Sequence, residues 1–184
     1  MSTRAAPGVQ LDAFKLGMSR LAAGVCVIAT GSAEAPGDWR GMTATSVCSL
    51  CADPPSLVAC VDRGTGTYRE VLRNGAFSVN VLTSSDVGTA RTFAGRRGAF
   101  GAERFASGEW SPGELGAPVL LGALVSFECR LSRTVEHATH ALLIGGIEAI
   151  VHGTRTGHEM PLVYQSRRYR DLGAEVEEAG GTPR

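Results

Sequence analysis

The sequence predicts a mainly β fold, a barrel or sandwich carrying a few peripheral helices. Three observations lead there. Short apolar runs and alternating apolar and polar segments recur along most of the chain, which is the signature of strands. Only three stretches carry helical spacing. Strands and helices do not alternate regularly, as a doubly wound parallel sheet would require. The 184 residues suit one domain with a substantial core. That domain is expected over residues 11–172, between a flexible segment, 1–10, and a disordered acidic, glycine-rich tail, 173–184.

From the N-terminus, Leu11, Phe14, Met18, Leu21 and Ala22 recur at helical spacing with Asp12 near the start, predicting an amphipathic helix that stops at Gly24. Val25–Thr30 reads as a buried strand and residues 31–37 as a loop around Pro36. One strand is predicted from Thr43 to Cys51, ending at Asp53-Pro54-Pro55, and another from Leu57 to Asp62. Arg63-Gly64-Thr65-Gly66-Thr67 turns into a short helix, Tyr68–Arg73, closed by Asn74-Gly75. Phe77, Val79 and Val81 alternate with Ser78 and Asn80, predicting a half-buried strand in which Asn80 faces polar surroundings. Ser85–Ala94 reads as a helix capped by Ser84 or Ser85. Residues 95–116 form a long glycine-rich connection, a kind that is usually functional or mobile, with Trp110 expected to pack within it. Val125, Phe127, Cys129 and Leu131 alternate with Ser126, Glu128, Arg130 and Ser132, the clearest strand pattern of the chain. Ala141–Val151 is a last long strand, interrupted by Gly145-Gly146 at a bulge or a close approach. Pro161–Tyr164 and Tyr169–Leu172 close the fold.

Composition narrows the function. Formal net charge is zero, and one lysine, Lys15, accompanies scattered arginines, so no field draws in nucleic acid or an acidic membrane. No apolar run is long enough for a membrane span and no signal segment is present, so the protein is expected in the cytoplasm. Five cysteines, most within apolar strands, read as reduced, buried thiols. Cys48-x-x-Cys51 lacks the further ligands of a zinc site and does not open a helix as a redox dithiol would.

The most informative stretch runs from Arg40 to Pro55, where glycine and small hydroxyl residues stand in place of bulk. Such residues let main-chain N–H groups approach a flat polar ligand, although the same run also suits a plain strand entering a Pro-Pro turn. Arg63, with the N–H groups of residues 64–67 at a helix start, suits an anion; the alternative is an exposed turn arginine. No G-x-G-x-x-G follows a strand, so a nicotinamide nucleotide would bind outside a Rossmann site.

In order along the chain stand Phe14-x-x-x-Met18-x-x-Leu21-Ala22-Ala23-Gly24-Val25, Arg40-Gly41-Met42-Thr43-Ala44, Ser49 through Pro55, and Phe77-Ser78-Val79-Asn80-Val81-Leu82. Phe93-Ala94, Arg104-Phe105, Gly116-Ala117-Pro118, Glu128-Cys129, His140 before Ile144-Gly145, and Pro161-Leu162-Val163-Tyr164 follow. Together they resemble the flavin reductase family, whose fold is the FMN-binding split barrel of Greek-key type, over about Phe14 to Leu172. The resemblance implies an NAD(P)H:flavin oxidoreductase that moves a hydride from NADH to FMN or FAD. It also implies a homodimer that supplies reduced flavin to a partner flavin-dependent monooxygenase. Alternatives are an oxidase of the same broad fold holding flavin tightly, and a flavin-binding module without turnover.

By the same resemblance, the flavin is expected against Met42, Thr43, Ala44, Thr45, Ser46, Ser49, Asp62, Arg63, Thr67, Phe93 and Gly95. Donors aimed at the ring edge where reduction places negative charge make chemical sense of the hydroxyl run. The loop Phe93-Ala94-Gly95-Arg96-Arg97 is a candidate cover for flavin or adenine. His140 and Tyr164 are the candidates for the nicotinamide site, His140 as the catalytic histidine. Many relatives read Gly-Asp-His at that turn, whereas this chain reads Ala138-Thr139-His140, which puts the tight turn and a carboxylate–imidazole contact in question. NADH is expected over NADPH, since Arg167, Arg168 and Arg170 are the only scattered candidates for a 2′-phosphate pocket.

Overall fold

A computed structural model describes residues 9–154 and 159–173. The expected tail beyond 173, and the N-terminal segment before residue 9, lie outside the described residues. The strands, in chain order, are β1 (Ala23–Gly24), β2 (Cys26–Thr30), β3 (Arg40–Ala44), β4 (Val47–Ala52), β5 (Pro55–Asp62), β6 (Ala76–Val81), β7 (Trp110–Pro112), β8 (Pro118–Leu120), β9 (Val125–His137), β10 (His140–His152), β11 (Val163–Gln165) and β12 (Arg168–Arg170). Three α-helices accompany them: α1 (Leu11–Ser19), α2 (Gly66–Asn74) and α3 (Val87–Phe93).

Seven strands form one antiparallel sheet in the order β3-β2-β6-β9-β10-β5-β4. β3 and β4 lie at opposite edges of it, yet only Thr45 and Ser46 separate them in sequence. Three Cα steps reach about 11 Å at most. The sheet therefore rolls until its edges meet, and they meet without a ladder between them: a split barrel. The single strand predicted over Thr43–Cys51 is thus two strands, broken at Thr45-Ser46. What the alternation could not show is that the chain changes edge there.

Two cores result, one on each face of the sheet. Cys26, Ile28, Phe77, Val79, Cys129, Leu143 and their neighbours fill the barrel, with Tyr68 and Val71 of α2 closing it. Val25, Val27, Ala29, Trp39, Phe93, Phe105, Leu120 and Leu162 pack outside it under α3. β2 is covered on both faces, as its continuous apolar run predicts. Burial pushes the thiols of Cys26 and Cys129 up to about 12, so both stay protonated. Cys48 and Cys51 are exposed on β4, contrary to the expectation that most cysteines are buried.

The half-buried reading of β6 is corrected, and its neighbour β9 is covered on the same face. Ser78, Asn80, Ser126 and Glu128 are also buried, because residues 113–120 cover that face. Asn80 Nδ2 donates to Val27 O (3.1 Å), and its Oδ1 accepts from Leu120 N (2.9 Å) and Ser126 Oγ (2.7 Å). Glu128 accepts from Glu114 N (3.0 Å) and Leu115 N (2.8 Å). The glycine-rich connection is accordingly packed. It holds a 3₁₀ turn, Gly101–Ala106, and β7, and its Trp110 and Phe105 rings stack with Phe93 at 5.0–5.2 Å.

At Gly145 the β9–β10 register shifts, and a Cβ would lie 2.6 Å from Phe77 Cζ, so both predicted meanings of that glycine apply. α2 ends at Gly75 with φ 65°, as predicted. Thr83, and not a serine, caps the 3₁₀ turn Ser84–Asp86 that leads into α3; its amide donates to Asp86 Oδ2 (2.9 Å). α1 forms where predicted but ends at Ser19, and none of its residues is buried. Leu11, Phe14, Leu16 and Met18, and Leu21 beyond it, are 51–62 % exposed. Among the described residues no helix is long and apolar enough to cross a membrane.

Candidate active site at the barrel split

Thr45 and Ser46 bridge the split and are exposed. Ser46 Oγ donates to Cys60 O (3.0 Å) and Cys60 N donates to Ser46 O (2.9 Å), which clamps the crossing to β5. Thr43 Oγ1 donates to Ala90 O of α3 (2.7 Å). Both of those hydroxyl protons are committed. Thr45 carries the one hydroxyl of the three without a partner among the described residues. Ala44 is buried in the barrel and Met42 packs against the same core, so they give the site backbone and shape only.

Two cavities meet at this crossing. One of about 570 Å³ is walled by Phe14, Met18 and Leu21 on one side and by Thr45, Ser46 and Tyr164 on the other. A smaller one of about 160 Å³ is lined by Thr43, Ala44, Thr45, Ala94, Tyr164 and Tyr169, among others. An apolar wall facing one free hydroxyl and open backbone has the size and chemistry for a flat, polar-edged ring such as isoalloxazine. The Tyr164 and Tyr169 rings lie 5.2 Å apart. Burial raises the Tyr169 phenol above its ordinary 10, with Tyr164 adding to the rise and Arg96 and Arg91 opposing it.

A second cluster lies one step along β5. Asp62 is two residues beyond Cys60, about 7 Å along the strand, and pairs with His140 across the ladder. Asp62 Oδ1 accepts from Gly64 N (2.8 Å), Thr65 Oγ1 caps Tyr68 N (3.2 Å), and Thr67 is buried. The Gly64 and Tyr68 amides around the start of α2 thus have acceptors within the chain. Arg63 is also engaged: its guanidinium lies 2.7 Å from Glu136 and donates to Ala138 O (3.0 Å). Glu136 further accepts from Tyr68 Oη (2.8 Å), and the two acidic contacts follow burial among the causes raising the Tyr68 phenol. The predicted anion anchor is therefore largely neutralised within the chain.

His140 is exposed at the tip of the β9–β10 hairpin, opposite His137. The turn remains tight without glycine, because Ala138 adopts φ 49°. Thr139 Oγ1 lies 2.9 Å from His140 Nδ1, so in this chain a hydroxyl contacts the ring. Among the described residues, Tyr164 lines the cavities at the crossing and His140 does not, so these two nicotinamide candidates are not brought together there within one chain.

The other predicted contacts are dispersed. Ser49 opens onto a separate apolar cavity on β4 with Leu50, Phe127 and Ile147. Phe93 is a core residue, and Gly95, at φ 73°, closes the last turn of α3. Ala94 and Arg96 of the loop named as a candidate cover do line the smaller cavity, whereas sequence reasoning missed the wall made by α1 and the place of Tyr169 beside Thr43. The exposed apolar stripe of α1 was its only available signal.

Residues 18–173 match the family described as flavin reductase like domain. The chain is 42% identical over 164 residues to an FMN reductase (NADH) RutF 2 of Methylorubrum extorquens, covering 89% of this chain and 91% of that one. It is 35% identical to an FMN reductase (NADH) RutF of Ancylobacter novellus, covering 94% and 91%. Among solved structures it is similar to BorF, the flavin reductase component of a bacterial two-component tryptophan halogenase. That similarity has a TM-score of 0.78 and 29% identity, over 90% of this chain and 100% of BorF. With the rolled, split sheet and the cleft at its crossing, these matches establish that the chain belongs to the flavin reductase like domain family.

Proposed function

We propose that the protein is an NADH-dependent flavin reductase that passes reduced flavin to a partner monooxygenase. The observation that carries this reading is the 570 Å³ cleft at the split, where the free Thr45 hydroxyl faces the apolar wall of Phe14, Met18 and Leu21. Bound flavin supplies the hydride acceptor; NADH supplies the hydride. Thr45 donates to the polar ring edge, Ser46 and its two bonds to β5 hold the crossing in place, and the α1 side chains exclude water from one face. His140, with its ring oriented by Thr139, hydrogen-bonds the nicotinamide carboxamide from the neighbouring strand. No proton transfer is asked of it.

FMN and FAD both fit the reading, since the riboflavin phosphate is common to them. A homodimer is proposed as the working unit, supported by the uncovered apolar stripe of α1. The cytoplasm is proposed as the compartment, supported by five free thiols and the use of NADH. NADH oxidation followed with and without added FMN or FAD tests the function. Oxidation only in the presence of free flavin is expected, with flavin lost on gel filtration. Flavin retained stoichiometrically would favour the oxidase, and no stimulated oxidation would overturn the reductase.

A further inference from the structure

The β9–β10 hairpin turns through two central residues, Ala138 and Thr139, between the paired His137 and His140. Of those two only Ala138 has a positive φ, 49°, and a two-residue turn with a positive φ at its first central position ordinarily takes glycine there. A side chain at that φ is strained, and such a conformation persists where surrounding contacts over-determine it. Here those contacts come from one residue outside the hairpin. Arg63 N donates to Thr139 O (3.0 Å) and Arg63 Nη1 donates to Ala138 O (3.0 Å), so both central carbonyls accept from it. The guanidinium is in turn aimed by Glu136, which lies 2.7 Å from Arg63 Nη2 and uses its other oxygen to accept from Tyr68 Oη (2.8 Å).

An exposed ion pair contributes little by itself, and the Arg63 and Glu136 side chains are 39% and 50% exposed. What distinguishes this pair is its footing. Tyr68 is 6% exposed and packs with Val71 in the barrel core, so its hydroxyl is a fixed point. From that point a chain of contacts runs through Glu136 and Arg63 to the two carbonyls that precede His140, and Thr139 Oγ1 then meets His140 Nδ1. An arginine whose charge is met by a carboxylate and whose donors face the hairpin is poorly placed to hold an external anion and well placed to hold a turn. We propose that Arg63, aimed by Glu136 from the buried Tyr68, is a positioning residue for His140: it fixes the hairpin turn, and through it the contact with the nicotinamide nucleotide, and does not anchor a flavin phosphate. The inference rests on the flavin reductase reading in which His140 meets the nicotinamide.

The test follows flavin-stimulated NADH oxidation by the full-length protein and its variants, with riboflavin and FMN affinity measured by fluorescence titration. In Arg63→Gln the Michaelis constant for NADH should rise about fivefold while kcat stays within about twofold of wild type and both flavins bind normally. Glu136→Gln keeps an acceptor for Tyr68 and loses the charge that aims Arg63; it should raise the constant about threefold, and it carries the test should Arg63→Gln fail to fold. Two further readouts separate positioning from a merely structural role. In the His140→Ala background Arg63→Gln should add nothing, because the group being positioned is gone. Adding Ala138→Gly to Arg63→Gln should recover most of the loss, since glycine adopts that φ without strain. Independent, multiplying effects of Arg63→Gln and His140→Ala would mean that Arg63 meets NADH directly and would overturn the proposal. So would a loss of FMN affinity with riboflavin unaffected, the mark of a phosphate anchor. An NADH constant that His140→Ala raises and neither Arg63→Gln nor Glu136→Gln moves overturns the proposal alone. A normal constant in His140→Ala overturns the histidine contact, and the positioning role with it, so the two failures are told apart.

Discussion

Three neighbouring hydroxyls in the Thr43–Ser46 run look equivalent on paper and differ once their protons are followed. Thr43 donates to α3 and Ser46 to β5, which leaves Thr45 for a ligand. Thr45→Val should weaken flavin binding by about 1 to 1.5 kcal/mol, the net worth of one hydrogen bond, with little change in stability. Ser46→Ala should do the reverse, lowering stability by a similar amount through the lost clamp on Cys60. Flavin fluorescence titration beside urea unfolding separates the two, and equal effects from both variants would refute the division of labour. At the hairpin tip, His140→Ala should raise the Michaelis constant for NADH about tenfold, equivalent to roughly 1.4 kcal/mol, while leaving flavin affinity intact. Thr139→Val should reproduce part of that loss and Thr139→Ser should restore it, because the serine hydroxyl can still orient Nδ1. Normal NADH kinetics in His140→Ala would remove the histidine from the site.

At the scale of elements, the feature that periodicity hides is the polar seam between β6, β9 and residues 113–120. Alternation correctly marked the strands, and Asn80 was expected in polar surroundings, but sequence period reports two faces and cannot say that a later segment covers one of them. Glu128 is the sharpest case: it is fully buried and holds two main-chain N–H groups of the covering segment. Glu128→Ala orphans both donors and opens a cavity, so it should cost about 2 to 4 kcal/mol. Urea unfolding would read this directly, and a cost below about 0.5 kcal/mol would mean that the segment finds other partners. Turn chemistry was far more legible than burial. Gly75, Gly145 and the Arg63–Thr67 turn were each readable, since a left-handed φ, a close approach and a helix start leave local residue signals. The break at Thr45-Ser46 left none, as both residues fit a strand and only the closure of the sheet demands a crossing there. The engagement of Arg63 by Glu136 was equally hidden, for the two are brought together by a hairpin formed more than seventy residues later.

For the whole molecule, the unresolved term is α1. A helix of nine residues is marginal alone, and its stability normally comes from burying an apolar face. Here Leu11, Phe14, Leu16 and Met18 remain more than half exposed, and so does Leu21 just beyond. The few ties to the rest of the chain are polar, Ser166 N donating to Ser19 O (2.6 Å) and Gln165 Nε2 to Arg20 O (3.3 Å). A second copy of the chain covering this stripe, as in the proposed homodimer, would supply the missing burial, and because Phe14, Met18 and Leu21 also wall the cleft at Thr45, it would enclose the flavin site in the same step. Dimerisation and flavin binding should then be coupled. Phe14→Asp/Met18→Asp should shift the protein to monomer in light scattering and weaken flavin binding at least tenfold, with far-ultraviolet dichroism of the barrel retained. Added flavin should in turn favour the dimer of the wild type, since whatever binds the assembled site draws the equilibrium towards assembly. A charged variant that stays dimeric and binds flavin normally would show that α1 is neither interface nor wall, and would shift the cleft's apolar side to another element.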